Sequence, residues 1–321
     1  MGQVQTVRGP VDAEALGPTL MHEHVFIRSL ELERNWPTGF DARAAVENAV
    51  ERLHELAEAG IGTIVDLTVP GLGRDVELVQ EVAARVPVHI VVATGYYTYE
   101  VLPHYFDGRA AGLRKSGVDA LDEFFLHDVE EGIAGTGVRP GILKCCTDEP
   151  GLTPAVERIL RAVARVHRAT GLPISTHTHA ATKRGLDQQR VFGEEGVDLS
   201  RVVIGHSGDS TDIDYLTTLM DAGSVLGMDR FGIGPTAERV ATVATLCAMG
   251  RADRMVLSHD ANCHFDWYEP ELLQSVAADW HYLHISRDVL PALADQGVTD
   301  DQVRAMMVDA PRRVLDHGPG Y

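Results

Sequence analysis

Short, almost continuous apolar runs alternate along this chain with longer stretches in which apolar residues recur every three or four positions. The first pattern predicts strands buried on both faces, and the second predicts amphipathic helices packed against them. The first strand runs through Leu16, Leu20, Met21, Val25, Phe26 and Ile27. Seven more follow at Ile61–Val69, Val88–Tyr97, Gly141–Thr147, Pro173–His179, Arg201–Gly208, Ser224–Arg230 and Arg254–Asp260. Between them the spacing predicts helices over Asp41–Ala59, Asp75–Val86, Val118–Ala134, Pro154–Thr170, Thr182–Glu195, Ile213–Ala222 and Ala237–Met249. The first helix has Asp41 as N-cap, a stripe of Ala45, Val46, Ala49, Val50, Leu53 and Leu56, and Gly60 as its stop. Thr153 followed by Pro154 is a strong helix start. Two further helical stretches, Asp288–Ala294 and Asp300–Leu315, finish the chain. Eight strands, nearly all followed by a helix, predict an α/β fold: a single-domain (β/α)8 TIM barrel over residues 1–321.

Charge narrows the partners. Lys plus Arg total 28 and Asp plus Glu total 47, a formal net charge of −19. So acidic a chain is suited neither to nucleic acid nor to an anionic membrane surface, and its charge says little about small neutral substrates. The N-terminus lacks the apolar core of a signal peptide, and no apolar run approaches the ~20 residues of a membrane span. Cys145, Cys146, Cys247 and Cys263 show no paired spacing, so free thiols in a reducing cytoplasm are expected.

Chemistry in such a barrel gathers at the C-terminal ends of the strands. Met21-His22-Glu23-His24 places two imidazoles on one strand face. The third strand ends in Tyr96 and Tyr97, and the fourth buries Lys144 in an apolar run. The fifth carries His177 and His179, the sixth His206, the seventh Asp229 and Arg230, and the eighth His259 and Asp260. Spacing alone does not choose between His177 and His179. His259 alternates away from Asp260 and is expected to face the helices in a structural role. The remaining histidines are scattered through helices and loops.

The segments TLMHEHVF, GILKCCTDEPGLTP, PISTHTHA, VVIGHSGDS, GMDRFG and VLSHDA, in this order and on these strands, resemble the phosphotriesterase family of the amidohydrolase superfamily. The resemblance is closest to its phosphotriesterase-like lactonase branch and extends from Val4 to about Val314. It implies a binuclear centre of two divalent metal ions, in which His22, His24 and Asp260 bind the more buried metal and His177 and His206 the more exposed one. Lys144, carboxylated to N6-carboxylysine, would bridge both together with a hydroxide. Zinc is the first expectation, and cobalt, iron and manganese suit the same nitrogen and oxygen ligands. The chemistry agrees independently: two cations need anionic ligands, and a lysine amine neutralised by burial can take up carbon dioxide to become one.

By the same resemblance Asp260 moves the proton, and Tyr97 hydrogen-bonds the developing oxyanion or the hydroxide, with Tyr99 as a weaker version of that role. Asp229 orients a ligand histidine. Arg230 positions a loop or faces the lactone; the Asp229-Arg230 form, followed by Phe231-Gly232, resembles the lactonase branch. The segment Ala261–Glu271 is expected to line an acyl pocket, with Phe265 and Trp267 as walls. The expected activity is opening of lactone rings, N-acyl-homoserine lactones and other γ- and δ-lactones, as in quorum quenching, with slower hydrolysis of organophosphate triesters such as paraoxon. The alternatives are a dedicated phosphotriesterase (aryldialkylphosphatase) and a cyclic amidase of the same superfamily. A homodimer is expected, with the loop Arg28–Phe40 and the insertion after Tyr97 as candidate contact surfaces.

Overall fold

A computed structural model describes residues 2–321. Eight parallel strands follow one another around a barrel: β1 (Thr19–Glu23), β2 (Thr63–Asp66), β3 (His89–Gly95), β4 (Ile142–Thr147), β5 (Ile174–Thr178), β6 (Val202–Ile204), β7 (Val225–Met228) and β8 (Met255–Leu257). Each pairs with its sequence neighbour, for example Lys144 with Ser175 and Cys146 with His177 across β4 and β5, and the register shifts once, between Leu20 and Glu23 where β1 lies on β2. The last strand meets the first through irregular contacts: the Asp260 N–H donates to His22 O at 3.0 Å, and the His22 N–H to Ser258 Oγ at 2.8 Å. Closure of the barrel therefore fixes two candidate site residues, His22 and Asp260, against each other.

Eight-fold alternation of strand and helix follows the predicted order. The long helices α1 (Ala42–Glu58), α2 (Val76–Ala83), α3 (Ala120–Glu130), α4 (Pro154–Thr170), α5 (Arg184–Glu194), α6 (Ile213–Asp221) and α7 (Thr236–Ala248) form the outer layer. Five of these starts are set by side-chain caps: Asp41, Asp75, Asp119, Thr153 and Asp212 each accept a backbone N–H of the first turn. Gly171 ends α4 in the left-handed conformation. Inside the barrel, Met21, Val65, Val91, Ile142, Val203, Val225 and Val256 make one apolar plug, completed by Val314 and Leu315 of the C-terminal helix and Val4 of an N-terminal hairpin. The outward strand faces and the helices share a second, larger core. With one end of the barrel packed shut, the polar residues at the strands' C-terminal ends are left as the open mouth.

Several boundaries differ from the sequence pattern, each for a local reason. The first apolar run is two strands, not one: β1 stops at Glu23, and Phe26–Ile27 instead pairs with His264–Phe265 of the segment after β8. His22 and His24 therefore do not share a strand. Helix α3 is shorter than Val118–Ala134, because Asp119 caps it through Leu121 N–H and Gly132, at φ +99°, turns the chain away. Strand β6 ends at Ile204, where His206 takes a left-handed backbone. The last two helices each contain a widened turn, Ile285–Val289 and Ala305–Asp309, immediately before the segments containing Pro291 and Pro311. Proline has no N–H for the i→i−4 bond, and the wider turn absorbs the gap. The hairpin Gln3–Thr6 with Gly9–Asp12 was not legible from periodicity.

Candidate active site

Four imidazoles, one lysine and one carboxylate converge at the mouth, delivered by five strands. His22 comes from β1, with His24 just beyond its end; Lys144 from β4; His177 from β5; His206 and Asp260 from the turns after β6 and β8. Ligand atoms of His22, His206 and Asp260 lie within 4.8 Å of one another. Both His206 and Asp260 sit at φ +57°, the left-handed region that costs a non-glycine residue about 1–3 kcal/mol. Two of the converging groups are thus held in strained backbone by the surrounding fold.

The hydrogen-bond partners determine which ring nitrogen faces inward. Asp229 is fully buried; its Oδ2 accepts from His22 Nδ1–H at 2.8 Å, and its Oδ1 from His206 Nδ1–H at 2.9 Å and from the His206 backbone N–H at 2.7 Å. His24 Nδ1–H donates to Thr68 Oγ1 at 2.8 Å, since the Thr68 hydroxyl itself donates to Asp66 at 2.5 Å. His177 Nε2–H donates to Asp148 at 2.5 Å. Each ring therefore spends its proton outward and turns a bare nitrogen inward. Those bare atoms crowd together: His206 Nε2 is 3.0 Å from His177 Nδ1, and Asp260 Oδ1 is 3.2 Å from His24 Nε2 and 3.5 Å from His22 Nε2. Acceptors facing acceptors at such distances repel unless cations lie among them, so this donor set fits divalent metal ions.

Lys144 is fully buried, and among the described residues its amine has one polar partner, His22 Nε2 at 2.9 Å. Burial pulls its pKa down to about 8, against the opposing pull of Asp260 and Asp229. Burial likewise depresses His22 and His206, and takes His177 down to about 4, so these three imidazoles are neutral ligand types near pH 7. Burial works to raise the Asp260 carboxyl, and the Arg230 guanidinium draws it back toward the ionised form. Arg230 donates Nε–H to Asp260 Oδ2 at 3.1 Å and Nη1–H to Asp209 at 2.9 Å, and Asp209 in turn accepts from Arg239 at 2.7 Å.

Space for the Asp229 carboxylate is made by missing side chains. A Cβ on Gly227 would stand 2.3 Å from Asp229 Oδ2, and one on Gly205 would stand 1.9 Å from Thr176 O. Only glycine lets the carboxylate slide between these strands and under both histidines.

Above the cluster lies a cavity of about 190 Å³. Tyr97 and Tyr99 border it, with their hydroxyls 2.7 Å apart and Tyr97 Oη 3.5 Å from His177 Nδ1. Phe265 and Trp267 also line it, joined by Ile27, Leu72, Tyr268 and Trp280. His179 does not belong to this group: it lies past the end of β5 and bonds Thr182 Oγ1 at 2.8 Å. His259 is fully buried away from the cavity, bonded through Nδ1–H to Glu23 at 2.8 Å and accepting the Ile285 N–H at Nε2. Asp148 pairs with His177 and not with Lys144.

Several contributing residues escape sequence reasoning. Glu23, Asp66, Thr68, Asp148, Asp209 and Ser258 all act by holding other site residues. A signal was available for two of them: Asp148 and Asp209 stand just past the C-terminal ends of apolar runs.

The family model for the phosphotriesterase family matches residues 2–315. A phosphotriesterase homology protein of Mycobacterium tuberculosis is 56% identical over 325 aligned positions, covering 100% of both chains. An aryldialkylphosphatase of Saccharolobus solfataricus is 36% identical over 308 positions, covering 94% of this chain and 96% of that one. The solved structure of the phosphotriesterase from Mycobacterium tuberculosis superposes with a TM-score of 0.96 at 56% identity, over 99% of this chain and 100% of that one. The chain is therefore a hydrolase that belongs to the phosphotriesterase family.

Proposed function

We propose that this hydrolase opens lactone rings, N-acyl-homoserine lactones and related γ- and δ-lactones, and hydrolyses organophosphate triesters more slowly. The observation that carries the choice is the asymmetry of the cavity. Most of its apolar residues, Ile27, Leu72, Phe265, Trp267, Tyr268 and Trp280, come from the segments after strands β1, β2 and β8, with Ile233 added from the segment after β7, while Tyr97, Tyr99 and Arg230 border it with polar groups. A lactone carries one acyl chain and a flat polar ring, which needs one apolar wall. A phosphorus triester spreads three substituents from a tetrahedral centre and needs three diverging ones.

Two divalent cations, zinc by preference or cobalt, iron or manganese, would be held by His22, His24, His177, His206 and Asp260, with Lys144 as N6-carboxylysine supplying the shared anionic ligand. Bound there, they would polarise the substrate oxygen and lower the pKa of an attacking water. Asp260, kept ionised by Arg230, is placed to take the proton released by that water and to return it to the leaving alkoxide. Burial raises the pKa of Tyr97, so its hydroxyl stays protonated and able to donate to an oxyanion in the cavity. Arg230 is anchored by both Asp260 and Asp209 and lines the cavity, where it would face the lactone. The Asp229 carboxylate holds His22 and His206 in the tautomers that metal binding requires.

The four free, buried cysteines accord with a cytoplasmic setting. No helix of the described residues is long and apolar enough to cross a membrane. A homodimer is our expectation for the assembly, using the segment that exposes Leu32 and Trp36.

The test is a panel of lactones of graded acyl length, with paraoxon alongside, on metal-replete protein. We expect kcat/KM to rise about fourfold for each methylene that becomes buried, equivalent to roughly 0.8 kcal/mol, until the cavity is full. Faster turnover of paraoxon than of every lactone would favour the dedicated phosphotriesterase instead.

A further inference from the structure

The segment after β8 carries Phe265 and Trp267 into the cavity, yet regular structure holds very little of it. Its pairing with Phe26–Ile27 is two residues long, far short of a ribbon stable by itself. Upstream of the pair, Asn48 and Arg52 bond the carbonyls of Cys263 and Asn262. Over residues 265–269 the one side-chain tether to another element, among the described residues, is Asp266. Its Oδ2 accepts the Ser29 backbone N–H at 2.6 Å and its Oδ1 the Ser29 hydroxyl at 3.1 Å.

Asp266 stands between the two apolar walls in sequence and points away from the cavity that they line. Its partner is itself fixed: the neighbouring Arg28 is clamped by Glu33 and by Asp75 of the next loop, and its guanidinium lies 3.8 Å over the Phe40 ring. A rigid corner of the first loop thus grips the eighth. The grip also sets Trp267 against Tyr97, with ring centroids 6.4 Å apart, and against Phe265 at 5.3 Å.

We propose that the Ser29–Asp266 clasp is a positioning device for substrate selection: it pins Phe265 and Trp267 at the depth that accepts an acyl chain, and does not touch the substrate. The proposal rests on the lactone reading for its substrate and on the geometry for the clasp. It makes the two loops one unit, so that selectivity is decided partly at a serine remote from the reacting atoms.

Asp266→Ala and Asp266→Asn separate the possibilities. The amide can still accept the Ser29 N–H and donate to the Ser29 hydroxyl, so it should restore the clasp. With a long-chain N-acyl-homoserine lactone, Asp266→Ala should raise KM about tenfold while kcat stays within about twofold, as expected for loss of the two hydrogen bonds to Ser29. With γ-butyrolactone, which has no chain, both constants should stay within about twofold of wild type on the same argument. Asp266→Asn should return the long-chain KM to near wild type. Should Asp266→Ala fail to fold, Ser29→Ala removes the hydroxyl bond alone and should raise the long-chain KM about two- to threefold.

Hydrogen exchange of the amides of residues 261–269 gives a readout independent of turnover. It should quicken in Asp266→Ala and not in Asp266→Asn, with the barrel strands unchanged. If wild type opens no lactone, the substrate reading falls and the exchange experiment decides the clasp by itself. Equal losses on both lactones, a fall confined to kcat, or unchanged exchange in Asp266→Ala would overturn the proposal.

Discussion

The Asp229→Asn substitution offers a sharp test of the site, because it changes one atom of a fully buried group that receives three N–H donors. The amide oxygen can keep both bonds from His206. The new NH2 then stands in the place of Oδ2 and confronts His22 Nδ1–H across 2.8 Å. Flipping the amide is worse, since it sets the NH2 against two donors of His206 rather than one of His22. The relief available is for His22 to move its proton to Nε2. That fills the lone pair now turned toward Lys144 and Asp260, and His22 ceases to be a ligand.

Loss of such an orienting partner typically costs 10- to 100-fold in metal affinity, about 1.4–2.8 kcal/mol. The metal-free protein should also lose about 1–3 kcal/mol, because the moved proton sets His22 Nε2–H against the Lys144 amine 2.9 Å away. The assay is competitive chelation with metal analysis, followed by kcat/KM at saturating metal and a melting curve of the metal-free form. Asp229→Asn should need at least about tenfold more free metal for half-loading and should melt a few degrees lower. Metal binding within about twofold of wild type would refute the tautomer argument, and with it the reading of the converging nitrogens as ligand atoms.

Other expectations follow from the same geometry. Lys144→Ala should release tightly held metal on dialysis, with partial recovery in a small added carboxylate; two metals retained without it would contradict a bridging carbamate. Gly227→Ala places a methyl 2.3 Å from Asp229 Oδ2, so the strand or the carboxylate must shift; metal affinity should fall by an amount like that of Asp229→Asn, and a normal affinity would show the slot to be slack. For acid stability, Asp119 is informative: burial works to raise its carboxyl, but the hydrogen bonds from Arg158 and Leu121 N–H hold it below the usual value. A depressed folded pKa gives stability that is present above the unfolded value of about 3.9 and is lost as pH falls below it. Asp119→Asn should therefore lower Tm at neutral pH and flatten its decline in acid, and an unchanged acid slope would dismiss the pair.

The barrel was legible because each strand is buried on both faces and each helix on one, so that apolar runs and three-to-four spacing carry the topology by themselves. The lysine in an apolar run and the histidine or aspartate at strand ends marked the mouth for the same reason: a polar group in a strand otherwise closed to water needs a purpose. Helix starts at Asp41 and Thr153 were equally local, since a cap is a bond between residues three apart. What sequence periodicity misplaced were junctions settled by distant partners. The first strand breaks after Glu23 because Phe26–Ile27 finds a partner in His264–Phe265, more than two hundred residues later. Which of His177 and His179 lines the cavity was open to spacing; it is His177, set there by where β5 ends and by Asp148, which fixes its ring. The tautomers of His22 and His206 depend on Asp229 from another strand, and the cavity walls depend on a clasp between the first and eighth loops. Burial and short-range bonding are properties of a segment and can be read along it. Ring orientation, protonation pattern and cavity shape arise only when strands far apart in the chain close into one barrel, so the tertiary structure alone decides them.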